Sequence, residues 1–248
     1  MKRERVEREA EFHNKRFKGK DTREALDKYY VLLEKIEVYI NEILKGKIQA
    51  KEKLLDYGCS IGDSSIFYSK FGAKVTGIDI STAAINQAIG RQDTQGIEFS
   101  VENAEATSFK DNHFDLIVGK GILHHLDLNN AYKELSRILN NDGVAIFLEP
   151  LGHNPFINLY RLITPSARSV DEHPLLIKDI ELIDKYFRSV KVTYFNLFTL
   201  LSVPFRKFKF FQGMYHILSI LDDKLIEALP FMKKYYWMVV IELMDPVR

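Results

Sequence analysis

Short apolar runs alternate with amphipathic stretches from Lys51 to about Pro150. The runs at 52–57, 74–79, 97–102, 113–119 and 143–149 predict strands, and 62–71, 81–91 and 128–140 predict helices. Strands separated by helices imply a parallel sheet with crossover helices. Ser81 is the expected N-cap of the second helix, and Asn141-Asp142-Gly143 a turn into the fifth strand. Residues 1–18 are charged and predicted helical. Residues 22–45 carry Leu26, Tyr29, Tyr30, Leu33, Ile36, Val38, Ile40, Ile43 and Leu44 near helical spacing, with Gly46 as the stop. After Pro150 the rhythm changes. LGHNPFINLYRLITP reads as a helix stopped by Pro165, 178–187 as a helix and 189–195 as a strand. Residues 196–232 are dense in Phe, Leu and Ile, and YYWMVVIEL (235–243) is an apolar C-terminal strand.

Composition narrows the class. The 248 residues are 46% hydrophobic and 28% charged, ordinary for a globular protein with a sizeable core. Lys plus Arg (35) nearly balances Asp plus Glu (34), so there is no electrostatic case for a nucleic-acid partner. The single cysteine, Cys59, excludes an intrachain disulfide. With a charged N-terminus lacking a signal-peptide core, this predicts a cytoplasmic setting. No run approaches ~18 uninterrupted apolar residues, so no membrane span is expected.

The candidate site starts at LLDYGCSIGDSS (54–65). A strand that ends in Gly58 and turns into a helix leaves free backbone N–H groups and allows close ligand approach. Asp79 closes the next strand 21 positions later, the offset of an acid that grips a ribose. A dinucleotide fingerprint would place its third glycine at Asp63, where a carboxylate would repel a pyrophosphate. The site therefore suits a nucleoside without phosphates.

LLDYGCSIG followed by VTGIDIS resembles the first two motifs of class I S-adenosylmethionine (SAM)-dependent methyltransferases. Ser60 replaces the usual middle glycine of the loop. VENAEATSF (101–109), FDLIVGKGILHHL (114–126) and LSRILNNDGVAIFLEP (135–150) resemble the later motifs in order. The resemblance covers residues 50–150. It implies a Rossmann-like, mostly parallel seven-stranded sheet flanked by helices in one methyltransferase domain, its last strand antiparallel. Residues 1–46 would be a helical cap, and 151–248 the substrate-side half. It also implies a cofactor site formed by Asp56, Gly58, Cys59, Ser60, Gly62, Asp79, Ile80, Asn103, Ala104 and Lys120, with Asn103 meeting the adenine amine and S-adenosylhomocysteine (SAH) as product.

Methyl transfer asks the protein to align a nucleophile and, where needed, to take up a proton. His124 and His125, just past the fourth strand, are the candidate bases, against a packing role at the strand-to-helix corner. Glu149 could orient substrate or accept a proton. Asp171, Glu172 and His173 form a polar cluster expected to cap a loop, and no metal site is expected. Cys59 is expected to be a small buried filler.

For the FRKFKFF-bearing segment 196–232 three readings stay open: a lid with an apolar pocket, a homodimer face, or a peripheral membrane patch. Phe12, His13, Phe17, Tyr29 and Tyr30 are the aromatic candidates to cover the cofactor. The reading is methyl transfer to a small lipophilic acceptor, oxygen favoured over nitrogen or carbon, as in natural-product, quinone or lipid metabolism. A nicotinamide-dependent oxidoreductase and a catalytically silent SAM-binding scaffold are the alternatives.

Overall fold

The computed structural model describes residues 2–19, 31–48, 52–164 and 169–248. Helices α1 (Lys2–Lys18) and α2 (Glu34–Lys47) precede the alternating core. The core runs β1 (Lys53–Tyr57), α3 (Asp63–Ser69), β2 (Lys74–Asp79), α4 (Thr82–Ile89), β3 (Glu98–Val101), β4 (Phe114–Lys120), α5 (Leu128–Ile138) and β5 (Leu139–Pro150). Then follow α6 (Pro155–Ile163), α7 (Ile177–Glu181), β6 (Phe187–Phe195), α8 (Phe211–Ala228) and β7 (Met238–Pro246). Tyr29, Tyr30, Leu26 and Pro165 lie outside the described residues.

Why the strands read as near-continuous apolar runs is explained by burial on both faces. Side chains alternate with period two. Leu55, Tyr57, Ile117, Ala145, Phe147, Val239 and Ile241 join one core, under α5. Leu54, Leu116, Val118, Ile146, Leu148 and Val240 join the other, with Ile36, Ile40 and Leu44 of α2. The helix at 34–47 is thus a core layer of the sheet, not a cover over the cofactor. It runs one residue past Gly46.

The sheet order is β3-β2-β1-β4-β5-β7-β6. The first five strands are parallel, and β7 lies antiparallel between β5 and β6. The chain leaves β3 at one edge and returns on the far side of β1 to form β4. That reversal opens a crevice at the carboxyl ends of β1 and β4, where ligands bind in such sheets.

Two local expectations are corrected. Asn141-Asp142-Gly143 is not a turn before the strand but an irregularity inside β5. Phe114 pairs with Leu139 while Leu116 pairs with Val144, so β5 carries extra residues there. A Cβ at Gly143 would meet the Asp115 carbonyl oxygen at 2.9 Å, which is why glycine fits. The helix expected at 178–187 ends at Glu181, and a 3₁₀ turn (Leu182–Lys185) carries the chain to β6.

Gly119 shows how tightly the crevice floor is packed. A Cβ there would sit 2.5 Å from the ring of the fully buried Phe147. Gly119→Ala is expected to lower unfolding free energy by about 1–3 kcal/mol. Gly119→Ala combined with Phe147→Leu is expected to recover part of that loss, read as urea midpoints.

Candidate functional site

The loop after β1 is built from left-handed residues: Gly58 (φ 83°), Ser60 (φ 53°) and Gly62 (φ 87°). Glycine adopts this region freely, whereas Ser60 does so at a steric cost. The main-chain N–H groups of Gly58 and Cys59 both donate to the Ile78 carbonyl, which binds the loop to β2. Ser60 N–H donates to Asp79 Oδ2 (3.0 Å), and Ser81 N–H to Asp79 Oδ1 (2.8 Å). Ser81 caps α4 as expected, its hydroxyl accepting from Ala84 N–H at 3.1 Å.

A cleft of about 910 Å³, counted with its open mouth, lies at this crevice. Of the ten residues expected around the cofactor, Gly58, Ser60, Asp79, Ile80, Asn103, Ala104 and Lys120 line it. Asp56, Cys59 and Gly62 do not. Asp56 is buried and accepts from the Ser65 hydroxyl at 2.5 Å. Burial raises its pKa to about 6 against the lowering pull of Ser65 and Lys120. Cys59 is buried and its thiol pKa is pushed up, chiefly by burial, so it fills space. Gly62 ends the loop at α3, and Asp63 beyond it pairs with Arg91. Part of the negative charge read from Asp63 is thereby neutralised.

The lining groups fit an adenosine with an amino-acid tail. Each Asp79 oxygen accepts one main-chain bond and keeps a further lone pair for a ribose hydroxyl. Asn103 Oδ1 accepts from Glu105 N–H at 3.0 Å and likewise retains acceptor capacity for an exocyclic amine. Lys120 donates to Glu37 of α2 at 2.6 Å and brings a cation to the wall.

Helix α1 roofs the cleft. Arg5, Val6, Glu9, His13, Arg16 and Phe17 line it. Phe12 does not; its ring stands edge-on to His13. The helix is fastened along its length. Arg5 reaches Glu105 and the His125 carbonyl, and Arg8 makes a two-point contact with Asp171 (2.8 and 2.9 Å). Ser169 donates to Glu9, and Asn14 Oδ1 accepts from the Ser81 hydroxyl and Ala83 N–H. Gln87 donates to the Phe17 carbonyl.

The two candidate histidines separate. His125 lines the cleft; His124 does not. His124 Nδ1 lies 2.6 Å from Glu149 Oε2, and Glu149 Oε1 accepts from Ile122 N–H (2.8 Å) and Leu123 N–H (2.7 Å). Glu149 is wholly buried, lines no part of the cleft and holds the β4–α5 turn in shape. Burial raises its pKa to about 7, opposed by those N–H groups. His125 Nδ1 faces Glu9 Oε2 at 3.2 Å, without the alignment of a full hydrogen bond, and His13 Nε2 stands 3.5 Å from the same oxygen. Burial lowers the His125 pKa, against a raising pull from Glu9. Burial pushes the Glu9 carboxyl up, but His125, His13 and Ser169 together hold it well below the usual range.

Of the polar cluster at 171–173, Asp171 pairs with Arg8, Glu172 with Arg161 (2.8 Å), and His173 N–H donates to the His124 carbonyl. The ligating atoms of Glu9, His13 and His125 lie within 4.8 Å of one another, as do those of His124, His125 and Glu172. Sequence reading missed Arg5, Glu9 and Glu105. The one signal for Arg5 and Glu9 was the helical spacing that puts them and His13 on one face of α1.

A profile of a methyltransferase domain matches residues 55–147. A demethylmenaquinone methyltransferase of Chlorobaculum parvum is 35% identical over 118 residues, 46% of this chain and 48% of that protein. The chain therefore spans about half the length of that relative. An uncharacterised methyltransferase of Schizosaccharomyces pombe is 30% identical over 115 residues, 44% of this chain and 77% of that protein. Among solved structures, a Haemonchus contortus phosphoethanolamine N-methyltransferase 2 bound to SAH aligns over 95% of this chain and 60% of its own, with TM-score 0.63 and 16% identity. A geranyl diphosphate C-methyltransferase of Streptomyces coelicolor aligns over 86% and 82%, with TM-score 0.60 and 15% identity. These two likenesses speak for the fold. With the matched domain, the sequence relatives and the cleft between Asp79 and the β4 turn, the chain belongs to the class I SAM-dependent methyltransferases.

Proposed function

We propose that the chain transfers a methyl group from SAM to a small lipophilic acceptor bearing an acidic hydroxyl. The observation that carries this reading is one cleft lined by two unlike sets of groups. Gly58, Ser60, Asp79 and Asn103 form one, and Glu9 with His125, 3.2 Å apart, the other. The bound cofactor supplies an electrophilic methyl group. The chain's own residues do the rest. Asp79 would accept the ribose hydroxyls, Asn103 the adenine amine, and Lys120 would pair with the tail carboxylate. Val6, Ile122 and Leu126 give the acceptor apolar walls, and α1 shields it from water.

His125, not His124, is the proposed base. Glu9 facing Nδ1 would favour the tautomer whose Nε2 lone pair is available for the acceptor's proton. Oxygen is the proposed acceptor atom. An ionised aromatic hydroxyl also makes its ring carbons nucleophilic, so the same base would serve carbon methylation of a hydroquinone. The quinone methyltransferase among the relatives supports an acceptor of that class.

Calorimetric titration is expected to show binding of SAH and none of NADH. Asp79→Asn keeps the loop contacts in part and is expected to weaken SAH about tenfold or more; Asp79→Ala should weaken it further. NADH binding, or binding of neither, overturns the cofactor assignment.

The pH profile tests the base. Only neutral imidazole accepts a proton, so kcat/KM should rise with pH through the His125 pKa. Burial sets that limb below the ordinary 6.5. His125→Gln is expected to remove the limb and lower kcat by about 10²–10⁴. Glu9→Gln should move the limb to still lower pH while lowering kcat, because the raising influence of the carboxylate is gone. An unchanged profile in both variants would sink the assignment.

A further inference from the structure

The hydrophobic surface is distributed very unevenly. Seventeen large hydrophobic side chains stand exposed among the described residues, and thirteen of them fall in 156–163 and 201–231. On α6, Phe156, Leu159, Leu162 and Ile163 recur at helical spacing on the outer side, with Leu162 77% exposed. The opposite side of the same helix packs inward. Ile157 meets Leu200 and Val203 of the 3₁₀ segment Phe198–Phe205, with Tyr215 of α8 against the same cluster. The two exposed stretches are therefore backed by one small core and adjoin.

The middle of helix α8 buries polar positions and exposes apolar ones. Its buried residues are Phe211, Ser219 and Asp222, while Ile217, Ile220 and Leu221 face solvent. The inward polar groups are engaged. Asp222 accepts from the main-chain N–H groups of Leu197, Phe198 and Thr199, and Ser219 accepts from Lys35. Core packing thus accounts for the polar side and leaves the apolar side without an internal partner. Between these elements, Phe205, Phe208 and Phe210 gather with ring centroids 5.4–6.2 Å apart, and Arg206, Lys207 and Lys209 are interleaved with them. No acidic residue occurs in 151–164 or 196–221.

We propose that this face, formed by α6, the FRKFKFF turn and the outer side of α8, docks on the surface of an anionic lipid bilayer. Aromatic rings with interleaved cations match the layer where acyl chains meet anionic headgroups. The charge pattern selects this occupant over a second copy of the chain. A two-fold contact would bring Arg206, Lys207 and Lys209 against the same acid-free patch on the other copy. No helix among the described residues is long and apolar enough to cross a membrane, so the contact is peripheral. The docked face is tied to the roof of the cleft: Arg161 of α6 pairs with Glu172, whose neighbour Asp171 holds Arg8 of α1. Docking of this face is independent of which acceptor is methylated.

The experiment is co-sedimentation of the full chain with vesicles of phosphatidylcholine, with and without phosphatidylglycerol. Pelleting is expected only with the anionic vesicles, and it should weaken as salt is raised. Lys207→Glu and Lys209→Glu should each weaken it about fivefold or more. Phe205→Ser/Phe208→Ser/Phe210→Ser should abolish it. Calorimetry with SAH on each variant reports an intact fold and tests the cofactor site separately. Wild-type protein that stays in the supernatant with both vesicles overturns the proposal. So does charge-reversed protein that pellets undiminished. A dimer in light scattering that the triple-serine variant dissociates, with no vesicle binding by the wild type, would assign the face to a second copy instead.

Discussion

Both oxygens of Asp79 are bonded to main chain, and the mouth of the sheet is organised around that fact. Ser60 N–H comes from the loop after β1, and Ser81 N–H from the loop after β2. One carboxylate thereby joins the two turns that any ligand at the crevice must touch. It also helps hold Ser60 in a backbone region that serine adopts only at a cost. The ladder between β1 and β2 brings the strands into register, with Asp56 opposite Gly77 and Tyr57 opposite Ile78. Asp79 converts that register into a shaped rim.

The structure uses buried acids in two ways. Glu149 and Asp222 are tied to loop N–H groups and serve as fasteners for turns lacking a regular ladder. Glu9 is different. It lines the cleft and places a carboxylate between two imidazoles at its wall. The contrast separates groups that hold the scaffold from groups that face a ligand, although both kinds are buried and both have displaced pKa values.

The sheet was legible because its signal is local. Apolar runs, a glycine after β1 and an acid after β2 are all readable within a few residues, and β2 matches its expected limits at Lys74–Asp79. Seven of the ten expected cofactor residues line the cleft for the same reason: each sits at a strand end. The roof was far less legible. Nothing in RVEREAEFHNKRF tells a solvated charged helix from one whose charges are matched by Glu105, Asp171 and Ser169, a hundred residues or more away. For the described part of the second helix, helical spacing reports an apolar face but not the layer that receives it, which is the sheet. Glu149 misled in the opposite direction. An acid at a strand end suggests a ligand contact, but the main chain of the β4 turn reaches it first.

The fastening of α1 sets an order on how the molecule is made. This helix leaves the ribosome before the sheet does, while Ser169 and Asp171, which hold Glu9 and Arg8, lie 160 and 163 positions further along. At ordinary elongation rates of about 5–20 residues per second, roughly 10–30 s separate the helix from these partners. The strands that carry Gly58 and Asp79 emerge well before then. The two loops that carry Ser60 and Asp79 are therefore made well before the residues at 169–171 that fasten the roof over them.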